Sequence, residues 1–255
     1  MVWVRGRRVL VTGATGGIGF EVAERLCRQG AAVAALGRDW ARLRALSERQ
    51  GALTFQADLG EEEAARGAAR RLIAELGGLD AVVFCHGLGQ AGDFREEGAK
   101  AAPLLFAINV FAVLWVLEEA LPSLVATGDG RIVAVGSVAG VVGVPGEALY
   151  AATKFALRGF LEALAGELRG KGVRVALVHP GAVATPFFAR RGAPYERTWP
   201  RPLPPRAVAQ AVLEALEGHG GELFVPPWLR AAEVARTLFP RLYRRLLAAA
   251  AGGRR

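Results

Sequence analysis

Tyr150 and Lys154 stand four residues apart in Tyr150-Ala151-Ala152-Thr153-Lys154, a spacing that on a helix places a phenol and an ammonium on one face. An ammonium there favours the ionised phenol. A phenol whose ordinary pKa of about 10 is drawn towards neutrality can give or take a proton as a hydride moves. Ser137 follows an apolar run in Val135-Gly136-Ser137, where a hydroxyl can hold a carbonyl or alcohol oxygen. Asn109 interrupts the otherwise apolar stretch 104–117, and a buried amide without a partner costs stability, so it needs a hydrogen-bonding role. Singly, these are a surface serine, a rim tyrosine, a solvated lysine and a satisfied core asparagine. Their joint placement is what those plain readings leave unexplained.

A second group suits a dinucleotide. Thr12-Gly13-Ala14-Thr15-Gly16-Gly17-Ile18-Gly19 closes an apolar run and opens a helix, which lets the backbone turn tightly against a pyrophosphate at the free N–H groups of the helix N-terminus. The next apolar run ends in Leu36-Gly37-Arg38-Asp39. An acidic residue at this strand end holds the ribose hydroxyls of NAD, whereas an Arg pairs with a 2′-phosphate. Gly37 occupies the acid's place and Arg38 follows, so NADP(H) is favoured and NAD(H) stays open through Asp39, which also suits the cap of the next helix. Asp58-Leu59 follows the third run, with Asp58 facing an adenine or capping a helix near Glu61. Cys85-His86-Gly87 follows the fourth, and its lone His reads as packed or hydrogen-bonded to backbone. No metal is expected.

These groups need elements to hold them at one edge. Short β-branched or apolar runs at 8–12, 31–36, 53–56, 81–84, 131–135, 174–178 and 223–225 alternate with helical segments near 18–29, 39–49, 61–76, 101–126, 148–169 and 207–217. That alternation predicts a Rossmann-like α/β fold, doubly wound, with a seven-stranded parallel sheet flanked by helices. Residues 1–255 read as one NAD(P)-binding domain. Residues 182–206, rich in Pro, Arg and aromatics, lie after the sixth strand where a substrate loop belongs. Residues 228–250 read as an amphipathic basic helix.

Hydrophobic residues make up 52% of the chain and charged residues 22%, with 33 Gly, 13 Pro and 2 Cys. That composition excludes a disordered chain, a disulfide scaffold and a collagen-like repeat. Of the 32 basic residues only Lys100, Lys154 and Lys171 are Lys, a bias of the kind GC-rich coding or a thermophilic source produces. The net charge is +8, yet the last 28 residues hold seven Arg and one Glu. The charge is therefore largely local, its Arg residues alternate with apolar ones, and no nucleic-acid recognition motif accompanies them. Packing on the crevice or on a neighbouring subunit is the favoured reading of this tail, with peripheral membrane contact the less favoured one. Free Cys27 and Cys85, and a start that runs straight into a strand, suggest a cytoplasmic protein.

Taken in order, Thr12-Gly13 through Gly17 and Gly19, Asp58, Asn109, Ser137, Tyr150 with Lys154, and Pro180-Gly181 followed by Thr185 resemble the short-chain dehydrogenase/reductase family in its compact form. The resemblance covers nearly the whole chain. It implies that Tyr150 is the acid/base, that Ser137 orients the reacting oxygen, and that Lys154 lowers the phenol's pKa and holds the nicotinamide ribose. Asn109 would position a water linking Lys154 to solvent. Pro180, Gly181, Val183 and Thr185 would cradle the nicotinamide end, Gly87 would keep the backbone path beside the adenosine, and Arg38 would meet the 2′-phosphate. The family's Asn-Asn-Ala-Gly reads Phe84-Cys85-His86-Gly87 here, so the amides that brace the central sheet are missing. Together these features imply an NADP(H)-dependent reductase of a small carbonyl substrate, assembled as a homodimer or homotetramer. A Phe187, Phe188, Tyr195 and Trp199 wall would favour an apolar substrate portion, and Arg190, Arg191, Arg197 and Arg201 would meet an anionic tail or water. The alternative is a non-catalytic dinucleotide-binding or redox-sensing module.

Overall fold

Successive residues of a strand point to opposite faces of its sheet, so a strand covered on both sides must be apolar at every position. In the computed structural model, which describes residues 3–195 and 200–252, β1 (Arg8–Thr12) follows this rule at its three central positions. Its Val9 and Val11 enter the core on one face and Leu10 the core on the other. The other strands are β2 (Ala32–Gly37), β3 (Leu53–Gln56), β4 (Ala81–Phe84), β5 (Gly130–Val135), β6 (Val173–Pro180) and β7 (Gly221–Val225). All pair in parallel in the order β3-β2-β1-β4-β5-β6-β7. The chain winds outward to β3, returns to place β4 against β1, and winds out the other way. The order therefore reverses between β1 and β4, where an open α/β sheet offers a ligand crevice.

One face is covered by α1 (Gly17–Arg28), α2 (Trp40–Gln50) and a later helix, α9 (Pro205–Glu217), through Val22, Leu26, Leu43, Leu46, Val212 and Leu216. The opposite face carries α3 (Glu62–Glu75), α5 (Ala102–Phe106), α6 (Ala112–Ala126) and α7 (Ala148–Glu167), while the short α4 (Phe94–Glu97) lies at the crevice through Phe94 and Arg95. On that opposite face Leu72, Val113, Leu117, Leu157 and Leu161 fill the second core. A π-helical turn, Ala107–Phe111, joins α5 to α6 and holds Asn109; such insertions recur where a side chain must be re-aimed. Ala102–Ala126 is long and apolar enough to cross a membrane by length and composition, but half of its most apolar window is buried in the protein. At the end of the sheet away from the crevice, Asp80 pairs with Arg7 and Arg8, and Asp129 with Arg7 and Arg131.

One expectation needs correction. The tail is not one helix: a 3₁₀ turn at Pro227–Leu229 leads into α10 (Arg230–Leu238), and a break precedes α11 (Pro240–Gly252). Pro240 is the cause. It cannot donate to the preceding turn and disfavours helical backbone at Phe239, which has φ −127° and ψ 57°. The loop 182–206 contains α8 (Phe187–Arg190) and a parallel bridge between Val183 and Leu203. Arg197 and Trp199 lie outside the described residues.

Candidate active site

A crevice of about 1530 Å³ opens along the carboxyl ends of the strands, from Arg38 at one extreme to Phe188 and the tail at the other. Ser137, Tyr150 and Lys154 line its middle; Asn109 does not, and lies behind Gly87. Tyr150 and Lys154 are both on α7 and both buried, and the lysine Nζ is 5.9 Å from the phenol ring centre. Ser137 and Tyr150 line the crevice together, and the Ser137 hydroxyl draws the proton affinity of the Tyr150 phenol down; Ser137 Oγ accepts from the Ala139 N–H at 3.1 Å, which fixes its rotamer. Lys154 Nζ donates to the Val135 carbonyl at 3.2 Å.

Burial dominates the proton affinities. It pushes the Tyr150 phenol up to about 12; the Ser137 hydroxyl and Arg191 pull the other way, and Glu147 adds to the rise. The drop towards neutrality anticipated from Lys154 does not appear; desolvation dominates and keeps the phenol a proton donor. Burial also pushes Lys154 down to about 8. Asn109 uses its amide fully as a brace. Its Nδ2 donates to the Leu88 carbonyl at 2.8 Å and Thr153 Oγ1 at 2.9 Å, while its Oδ1 accepts from the Leu88 N–H at 2.7 Å. A Cβ on Gly87 would meet Asn109 Oδ1 at 3.4 Å and Lys154 Nζ at 3.5 Å, so both flank that turn.

The dinucleotide-shaped end fits the group its residues suggest. Gly16, the cap of α1, offers no side chain, which leaves the helix N–H groups open to an anion. A Cβ on Gly17 would stand 2.5 Å from Thr185 Cγ2, so the helix end and Thr185 face one another across a cradle that only glycine leaves open. Gly13, at φ +64°, lets the β1 turn approach the backbone of His86, which a Cβ would meet at 2.5 Å. Thr15, Ile18, Leu59, Pro180, Gly181 and Val183 line the crevice; Gly19 is packed beneath it against the Gly13 carbonyl.

At its own extreme of the crevice Arg38 Nη1 lies 3.5 Å from Asp58 Oδ2, both well exposed, so the pair is weak and the guanidinium is easily recruited elsewhere. Asp58 Oδ1 accepts from the Gly60 N–H at 2.9 Å and does not cap α3. Asp39, in contrast, caps α2 by accepting from the Arg42 N–H at 3.1 Å. Arg42 also lines the crevice, with its guanidinium over the Phe20 ring. Sequence reasoning passed over it, although a cation in the first turn of a helix opposes the helix dipole and so hints at an anion nearby.

The missing amides after β4 are replaced by different chemistry. His86 Nδ1 is 2.7 Å from Thr12 Oγ1, and the Cys85 N–H donates to the Thr12 carbonyl at 3.1 Å. The brace between β1 and β4 survives with an imidazole in it. Burial lowers the His86 pKa to about 3 and Lys154 lowers it further, so the ring stays neutral. Burial raises the Cys85 thiol to about 12.

The far side is aromatic. Phe187 lies 5.5 Å from the Tyr150 ring, Phe188 packs on Phe187 and Tyr195, and Trp228, Leu229, Tyr243 and Leu247 close the outer wall. Arg191 does not reach out for an anion. It pairs with Glu147 at the start of α7, lies over Phe188, and ties the loop to α7.

Comparison with known proteins agrees with this geometry. The family model for short chain dehydrogenases matches residues 7–196. An uncharacterized oxidoreductase of Myxococcus xanthus is 35% identical over 193 residues, covering 74% of this chain and 76% of that protein. Human 17-beta-hydroxysteroid dehydrogenase type 1 is 36% identical over 200 residues, covering 74% of this chain but 60% of its own. A short chain dehydrogenase/reductase from Burkholderia phymatum, solved in complex with NAD, superposes with a TM-score of 0.84 at 22% identity, covering 95% of this chain and 96% of that one.

Proposed function

The chain belongs to the short-chain dehydrogenase/reductase family, and on that premise we propose that it reduces a ketone or aldehyde to an alcohol with NADPH. The observation that carries this reading is the placement of the Ser137 hydroxyl and a Tyr150 phenol kept protonated by burial together on the crevice wall, with Lys154 behind the phenol. A carbonyl oxygen set between the two hydroxyls receives two donors where negative charge develops. NADPH, when bound, supplies the hydride to the carbonyl carbon. Tyr150 gives its proton to the oxygen, and Ser137 holds that oxygen in place. Lys154, fixed by the Val135 carbonyl, puts a positive charge beneath the phenol and so stabilises the tyrosinate left behind. Asn109 fixes the Leu88 backbone and Thr153, whose hydroxyl donates to the Tyr150 carbonyl at 2.8 Å. Gly87 is thereby held against both Asn109 and Lys154.

Arg38 and Arg42 support NADPH over NADH, because two guanidiniums flank a strand end whose Gly37 offers no carboxylate to ribose hydroxyls. The aromatic wall supports an apolar substrate body. The whole chain acts as one dinucleotide-binding unit in this reading.

Turnover of a panel of ketones and aldehydes by the wild type, together with NADPH titration, tests the proposal. Tyr150→Phe is expected to abolish turnover and leave NADPH affinity nearly unchanged. Wild-type protein that binds NADPH but turns over nothing across the panel would replace this reading with a non-catalytic dinucleotide-binding module.

A further inference from the structure

The tail has two unlike sides. Its inner side is anchored: Glu233 of α10 pairs with Arg158 of α7, Arg236 donates to the Val141 carbonyl and lies over Phe155, and Tyr243 and Leu247 of α11 line the crevice. Its outer side is different. Leu238, Phe239 and Leu242 cluster at the α10–α11 break with exposures of 65%, 58% and 56%, and Val234, one turn before Leu238, is exposed with them. Arg230, Arg241, Arg244 and Arg245 are exposed beside these side chains, and among the described residues none of the four has an acidic partner. Elsewhere in the chain many exposed arginines, such as Arg28, Arg44, Arg70 and Arg71, are neutralised by a nearby carboxylate.

We propose that the outer face of α10–α11 docks on an anionic phospholipid surface, so that the crevice opens beside the bilayer and takes lipophilic carbonyl compounds dissolved in it. Protruding apolar side chains ringed by unpaired guanidiniums match the acyl boundary and the phosphates of a lipid surface at once. A second copy of the chain fits poorly, because a symmetric contact through this face would bring Arg241, Arg244 and Arg245 against their own counterparts. Docking stands independently of the reductase reading; the substrate class rests on it.

Vesicle flotation of the full chain tests docking without cofactor or substrate. Binding is expected to vesicles of phosphatidylcholine with phosphatidylglycerol, to weaken as salt rises, and to be much lower with phosphatidylcholine alone. Each arginine at the surface contributes about fivefold to partitioning, so Arg241→Glu, Arg244→Glu and Arg245→Glu together should lower it by at least about a hundredfold. Leu238→Ser with Phe239→Ser and Leu242→Ser should also abolish it. Equal binding to both vesicle types, binding to neither, or serine variants that change the molar mass by light scattering without a change in flotation would each overturn the proposal; the last would make this face a subunit interface. For the substrate class, anionic vesicles should raise the rate on a long-chain methyl ketone in the wild type but not in the charge-reversed variant. Reduction of a water-soluble ketone should be the same in both. Vesicle binding without that rate increase overturns the lipophilic substrate, whereas vesicle binding with no turnover of any ketone overturns only the reductase reading.

Discussion

The Nδ1 of His179 lies 3.1 Å from the backbone carbonyl of Ser137, tying the residue before Pro180 on β6 to the residue that would hold the substrate oxygen. The ring is fully buried, stacked on Phe224, with Nε2 3.5 Å from Glu222 Oε1. Glu222 is held in turn by two hydrogen bonds from Arg158, which also reaches Glu233 on α10. His179 thus positions Ser137 from behind. His179→Ala is expected to lower kcat about tenfold, the scale of a small misplacement at a reacting centre, while KM and the NADPH Kd stay within about twofold. His179→Asn, which can return a donor near Nδ1, should recover part of the loss. A change in KM alone would contradict the positioning role.

In the proposed reading, cofactor choice depends on Arg38 and Arg42. A guanidinium on a phosphate is a charge-assisted hydrogen bond worth about 1.5–3 kcal/mol. Arg38→Glu should therefore reduce the preference for NADPH over NADH, as a ratio of dissociation constants, by about tenfold to a hundredfold. Arg42→Ala should reduce it less, because Arg42 is also engaged with Phe20. An unchanged ratio in Arg38→Glu would mean that Arg38 faces only Asp58 and solvent.

Lys154 carries a stability cost. Burial lowers its pKa from 10.5 to about 8, so between those values the unfolded chain binds more protons than the folded one and stability rises with pH. Below about pH 8 the full cost of burying the ammonium is present. Lys154→Met should therefore raise the stability of the cofactor-free protein at pH 7 by about 1–3 kcal/mol, with turnover lost, and the gain should shrink as the pH approaches 10.5. Denaturant titrations at several pH values would show it. A destabilised Lys154→Met would mean that the hydrogen bond to the Val135 carbonyl outweighs desolvation.

Much of this was readable before any coordinates. The seven strands and the helices between them follow from apolar runs and their spacing, and the Tyr150–Lys154 pair from helical geometry. What escaped the sequence has identifiable causes. The π-helical turn around Asn109 has no compositional signal, because it differs from α-helix only in which carbonyl each N–H reaches. The partnership of His86 with Thr12 needed the β1–β4 register, which sets Thr12 opposite Phe84. The high proton affinity of Tyr150 reflects how many elements bury it, a quantity no local spacing encodes. The break at Phe239 was legible in Pro240, and the tail's helical periodicity masked it.

Arg191 and Glu147 offer the sharpest test of how the loop serves the site. Their side chains are only 9% and 15% exposed, so removing one partner strands a nearly buried charge, whereas removing both does not. The Ala91 N–H also donates to the Arg191 carbonyl at 2.9 Å, which makes the pair a clasp between the loop, the β4 exit and α7. Arg191→Ala should free the Phe187–Phe188 wall, raising KM for an apolar ketone about tenfold and lowering thermal stability, with NADPH affinity unchanged because the adenosine end is remote. Glu147→Ala should do the same to a smaller extent, since Arg191 keeps the Ala193 carbonyl as an acceptor. The double variant is expected to be no worse than Arg191→Ala alone, giving a coupling energy of about 1–3 kcal/mol in a double-mutant cycle. Strictly additive effects would show that the two side chains act separately and that the loop is held by its backbone contacts.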